Sequence, residues 1–147
     1  MKLKTILPLI LIFWAGFVSS ISFMEAWLKF QAPGITLPLG LGIGKLVFSA
    51  LNIVEWVLLA GYLILNIFRY KSLRFLLTSY LIQVVVLILL IQTIWLLPGL
   101  IERSDLIISG KEPGDSNIHI YYISLEIIKV ASLIILAGRQ SFKAMRT

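Results

Sequence analysis

The sequence contains no cysteine, which excludes disulfides, thiolate metal centres and cysteine nucleophiles. It has a single histidine, His119, so a haem held between two histidines of one chain, or any site built on several imidazoles, is also excluded. Charge is scarce: 14% of the 147 residues are charged, against about 25% in a soluble domain. Acidic residues are the scarcer sign, seven against thirteen basic, for a net charge of +6. A basic excess can mark nucleic-acid binding, but here it is gathered in short clusters beside apolar runs, the pattern of membrane-flanking charge. What abounds is apolar surface, with 59% hydrophobic residues against about 45–50% in soluble proteins.

That surface is organised as four runs, at about 5–28, 45–68, 73–97 and 118–137. Each is long enough as a helix to cross about 30 Å of hydrocarbon at 1.5 Å per residue. None shows the period-two alternation of a membrane β-barrel. The first run follows a basic start and carries Ser19-Ser20, as a signal peptide would. Its apolar character continues through Ile21, Phe23 and Met24 to Trp27, so we expect an uncleaved helix. Pro33-Gly34, Pro98-Gly99 and Pro113-Gly114 are the expected breaks, with Ser116 or Asn117 capping the last helix.

Orientation follows from basic residues. Lys2, Lys4, Arg69, Lys71, Arg74, Arg139, Lys143 and Arg146 fall on one side of a four-span chain, and Lys29, Lys45, Arg103 and Lys111 on the other. The positive-inside rule then puts both termini and the 69–74 connection in the cytoplasm. The fold class expected is an all-α, integral membrane four-helix bundle with cytoplasmic N and C termini, forming one membrane domain. The almost uncharged segment from Lys29 to Gly44 is expected to be a loop that lies at the membrane interface or folds over the outer end of the bundle, and helix three to stop at Pro98-Gly99.

Inside the runs stand groups that lipid does not solvate. Glu25, Glu55, Glu126 and Lys129 are ionisable, His119 and Tyr122 lie near the outer edge, and Asn52, Gln83 and Gln92 are amides. Ionisable residues within spans carry a functional hypothesis by default. His119, Tyr122, Glu126 and Lys129 fall at i, i+3, i+7 and i+10, one helical stripe, and Asn52 and Glu55 share a face. If those faces meet, Glu25, Asn52, Glu55, Gln92, His119, Tyr122, Glu126 and Lys129 form a polar cavity in the outer half of the bundle, binding a small ligand or ion or relaying protons. The plainer expectation is that these groups only pair with one another, with Lys129 neutralising Glu55 or Glu126 and amides contributing about 0.6 kcal/mol each. Metal ligation is the weaker use of these residues, because the Glu-x-x-His spacing of di-iron bundles is missing. Gly40-Leu41-Gly42-Ile43-Gly44-Lys45 imitates a phosphate loop, but Leu46 replaces the Ser or Thr and no strand precedes it.

The stretch FWAGFVSSISFMEAWLKF, with LGIGKLVFSALNIVE after it, resembles the four-helix membrane proteins of the transmembrane-protein-205-like group, a domain of unknown function widespread in bacteria. The resemblance rests on Trp14-x-Gly16, on Gly-Lys-Leu-Val-Phe from Gly44 to Phe48, and on a histidine opening the last helix, His119. It implies a four-helix bundle in a bacterial inner (plasma) membrane and no established chemistry. The histidine frequent at the start of the family's first helix is absent, so no cofactor or metal is implied. Two expectations of function stand together: a membrane protein that handles a small ligand or ion, and a structural or accessory subunit, in a homo-oligomer or larger membrane complex. A lipid-modifying enzyme is a third, resting on the intramembrane carboxylates alone.

Overall fold

A computed structural model describes residues 3–70 and 79–145. Among these there are only helices, and four stretches are long and apolar enough to cross a membrane: Thr5–Gln31, Leu37–Arg69, Tyr80–Ile108 and Ile118–Lys143. At 26 to 33 residues each they span roughly 40–50 Å at 1.5 Å per residue. Lys2, Lys71, Arg74 and Arg146 of the orientation count lie outside the described residues, as does the start of the third run at 73–78.

The first helix, α1, is α-helical over Leu3–Ser19, π-helical over Ser20–Glu25, and closes through Ala26–Leu28 and a 3₁₀ turn at Lys29–Gln31. Helix α2 is continuous over Leu37–Tyr70. Helix α3 has an α segment Tyr80–Ile91, a π segment Gln92–Leu96 and a second α segment Leu97–Ile108. Helix α4 is continuous over Ile118–Met145.

Two boundaries correct the sequence reading. The glycine-rich segment before Lys45 is not a loop, because α2 already begins at Leu37. The Thr36 hydroxyl accepts a hydrogen bond from the Leu39 backbone N–H at 3.4 Å, and Pro38 falls in the first turn, where its missing N–H costs nothing. Helix α3 likewise does not stop at Pro98-Gly99 but runs on to Ile108. Pro98 sits at the start of the α segment that follows the π turn, where the hydrogen-bond register is already changing. The true stop is Gly110, whose φ of 77° is the left-handed conformation that closes a helix. There the Lys111 N–H reaches the Leu106 carbonyl at 2.9 Å and the Gly110 N–H reaches Ile107 at 3.0 Å. The Ser116 hydroxyl accepts from the Ile118 N–H at 3.2 Å, as a cap for α4.

Side-chain contacts fix how the helices run. Along α1 and α2, Trp14 meets Glu55 while Lys29 lies beside Gly44, so these helices are antiparallel. Lys45–Asp105 and Asn52–Thr93 make α2 and α3 antiparallel. Arg139 over the Tyr80 ring, Lys129–Gln92 and Ile118 against Gly99 do the same for α3 and α4. Across the diagonal α2 and α4 run parallel, joined by Phe48–Tyr122, Glu55–Lys129 and Tyr62–Gln140. The result is an up-down-up-down bundle whose end bearing Pro33 and Gly110 is here called distal.

The bundle is apolar outside and holds its ions inside. Phe13, Leu46, Ile53, Val57, Phe68, Leu87 and Ile94 are exposed, whereas Asn52, Glu55, Asn66, Gln92, Glu126 and Lys129 are buried. An apolar shell of that extent on a water-soluble monomer would be a large sticky patch. It suits hydrocarbon as solvent. Leu7, Leu11, Val18, Leu51, Val85, Leu89 and Leu133 pack the interior around the buried polar groups.

Candidate functional site

The buried ionic cluster forms midway along the bundle, and every helix contributes to it. Lys129, Glu55, Gln92 and Trp14 are each 0% exposed, as is Glu126. The Lys129 ammonium has three protons to donate. It pairs with Glu55 Oε1 at 2.6 Å and Glu126 Oε2 at 3.2 Å, and donates hydrogen bonds to Gln92 Oε1 at 2.7 Å and Glu126 Oε1 at 3.3 Å. Gln92 Nε2 in turn donates to Glu126 Oε1 at 3.1 Å, and Trp14 Nε1 to Glu55 Oε1 at 2.9 Å. This fixes the Gln92 amide: turned over, its NH₂ would face the ammonium and its oxygen the carboxylate. One unbranched amide therefore ties α3 to both charges on α4.

Two carboxylates face one ammonium here, and as ionised groups the three sum to −1. Glu55 Oε2 has no hydrogen-bond partner. Removing one member of such a set leaves an uncompensated charge, which is why buried pairs are costly to break.

A neutral cluster lies next to it between α2 and α3. Thr93 Oγ accepts from Asn52 Nδ2 at 2.9 Å and from Trp56 Nε1 at 3.0 Å, and donates to the Leu89 carbonyl at 2.7 Å. Gln92 and Thr93 are consecutive, yet they serve different clusters. Neighbours on a helix point about 100° apart, so Gln92 faces α4 while Thr93 faces α2.

Distal to these clusters, the ends of all four helices surround a pocket of about 170 Å³. Ser22 and Ala26 of α1, Phe48 of α2, Leu97, Leu100 and Ile101 of α3, and His119, Tyr122 and Ile123 of α4 form its walls. Tyr122 is buried at its base, one turn before Glu126, and meets the Phe48 ring edge-on at 5.5 Å. Most of the wall is apolar. The charged groups lining it are Lys29 and Lys45, with His119 beside them.

The eight residues singled out from the sequence therefore do not form one cavity. Glu55, Gln92, Glu126 and Lys129 converge in the sealed ionic cluster. Asn52 belongs to the Thr93 cluster, and His119 and Tyr122 to the pocket. Glu25 meets none of the other acids; it pairs with Lys29 at 3.2 Å, one turn further along α1. The reason is depth: Trp14 of α1 is level with Glu55 and Lys29 with Gly44, so Glu25 lies roughly 16 Å distal to the ionic cluster at 1.5 Å per residue. The sequence reading missed Trp14 as a donor, Thr93 as a hub, and Ser22, Lys29 and Lys45 as pocket residues. A tryptophan or serine in a membrane helix reads as packing until its partner's rotation is known. Among the described residues, no group of three or more His, Cys, Asp or Glu is placed to hold a metal ion.

No family model matches the chain, and neither a curated protein nor a solved structure matches it.

Proposed function

We propose that this chain is an integral membrane protein, with its termini in the cytoplasm, that binds a small amphiphilic molecule in the distal pocket at the outer face of a bacterial plasma membrane. The ionic cluster beneath the pocket serves as the lock that holds the four helices in register. The apolar shell and the one-sided basic clusters support the membrane placement. The resemblance to the transmembrane-protein-205-like group supports a bacterial membrane and carries no chemistry.

The observation that carries the binding role is Ser22. Its hydroxyl is buried in the pocket wall and has no hydrogen-bond partner. Helical serines ordinarily return their hydroxyl to the carbonyl four residues back, and Ser19, Ser104 and Ser132 all do so. A buried hydroxyl without a partner, on a residue of the pocket wall, is what a ligand's polar atom would complete.

A photoactivatable diazirine alkanol in reconstituted bilayers tests the pocket. It should label residues lining the pocket, and Ala26→Phe, which pushes a ring into the cavity, should reduce that labelling at least about tenfold, the equivalent of about 1.4 kcal/mol. Equal labelling of both proteins, with melting unchanged, would refute a ligand pocket. Orientation has its own test, made simple by the absence of native cysteine. Cysteines placed at Ser141 and at Ser109 should react with an impermeant thiol reagent from opposite faces; reaction from one face would overturn the topology.

A further inference from the structure

The pocket's charges indicate which head group it takes, an inference that rests on the binding role just proposed. Its lining includes Lys29, Lys45 and His119 but no carboxylate. Both lysines are held by acids from outside that wall, Lys29 by Glu25 and Lys45 by Asp105. The two cations are not equivalent. The Lys45 side chain is 28% exposed and sits at the rim, whereas Lys29 is only 10% exposed and lies inside.

Lys29 is seated by the helix beside it. A Cβ on Gly44 would come within 3.2 Å of its ammonium, and one on Gly40 would enter the Phe30 ring. These two glycines thus let a lysine and a phenylalanine from the end of α1 lie flat against the first turns of α2. The ammonium also rests 5.4 Å from the centroid of the Phe30 ring and 5.8 Å from that of Phe48. Two ring faces and a single partly exposed carboxylate leave a mostly desolvated cation with room for a stronger partner. Ser22 offers its free hydroxyl in the same wall.

We propose that the pocket binds a single-chain amphiphile with an anionic head, a carboxylate or a phosphate. The head takes the Lys29 ammonium in exchange for Glu25 and accepts a hydrogen bond from Ser22. The chain lies against Leu97, Leu100 and Ile101. Glu25 is then an internal competitor that occupies the cation when the ligand is away. A cavity of about 170 Å³ is smaller than the roughly 300–1,000 Å³ of drug-sized sites, and so fits a head group with the first part of a chain.

Four radiolabelled compounds sharing a dodecyl chain decide the matter, added to the protein in nanodiscs of zwitterionic lipid: dodecyl phosphate, dodecanoate, dodecanol and dodecyltrimethylammonium. Both anions should bind at least about tenfold more tightly than the alcohol and the cation. Lys29→Gln should remove that preference, so that the anions bind no more tightly than dodecanol, while Lys29→Arg should keep it. Glu25→Gln, which removes the competitor, should tighten anion binding several-fold. Equal binding of all four compounds, or an anion preference that survives Lys29→Gln, would overturn the head-group assignment while leaving the pocket intact. Failure of all four to bind would instead overturn the pocket reading on which it rests. Inorganic phosphate in the same assay separates a head group from a free anion: binding as tight as that of dodecyl phosphate would overturn the amphiphile.

Discussion

Replacing Lys129 by methionine is expected to destabilise the protein by about 3–5 kcal/mol, the usual cost of stranding the partners of a buried charge. Both stranded partners are acids, Glu55 at 2.6 Å and Glu126 at 3.2 Å, so the loss is expected at the upper part of that range. Glu55→Gln on that background should restore only part of the stability, because Glu126 still lacks its cation. The triple variant with Glu126→Gln replaces every ionised group of the cluster and should approach the parent protein, since an interior without charge needs no compensation. Gln92 can then bond to either new amide. The measurement is equilibrium unfolding in mixed micelles, followed by tryptophan fluorescence. A triple variant no more stable than Lys129→Met alone would show that the two carboxylates do not depend on that ammonium.

Gln92→Leu is expected to cost about 2–4 kcal/mol, although it removes no charge. The amide makes two hydrogen bonds to ionised partners, accepting from Lys129 at 2.7 Å and donating to Glu126 at 3.1 Å. Hydrogen bonds to charged groups are worth about 1.5–3 kcal/mol each, and a leucine satisfies neither. Gln92→Glu should be worse than leucine at neutral pH. It keeps an acceptor for Lys129 but turns the donor facing Glu126 into a third carboxylate. Read in the same unfolding assay, a Gln92→Leu protein within about 0.5 kcal/mol of the parent would mean that the amide bridge contributes nothing.

How much of this was legible in the sequence depended on whether a signal belonged to one helix or to several. The stripe of His119, Tyr122, Glu126 and Lys129 is a property of α4 alone; the last three are buried as its period requires, while His119, in the first turn, is exposed. Asn52 and Glu55 likewise share the inward face of α2. Which of these faces meet is a matter of relative rotation and depth, and a single sequence carries neither. Glu55 and Asn52 therefore looked like one site and belong to two. Winding was a second hidden variable. The π stretches Ser20–Glu25 and Gln92–Leu96 have no compositional mark, and a 3.6-residue repeat drawn through them loses its phase beyond each. Helix ends failed for a third reason: Gly and Pro near 38–44 and 98–99 read as breakers by water-based propensity. A proline in a first turn or beside a π turn gives up no bond.

The order in which the chain is made gives the ionic cluster a further meaning. Glu55 leaves the ribosome long before its cation, which stands in the last of these four helices to be synthesised. Until Ile118–Met145 joins the bundle, Trp14 is the hydrogen-bond donor that Glu55 can reach from an earlier helix, and Gln92 has neither of its partners. In a bilayer, a nascent chain holding only the first three helices would carry an unbalanced acid, at an insertion cost of about 2.5–3.5 kcal/mol for the carboxylate. Arrival of α4 delivers Lys129 and Glu126 together, one turn apart. Closure of the ionic cluster therefore waits on α4, and a product truncated before residue 118 would carry its own mark for quality control.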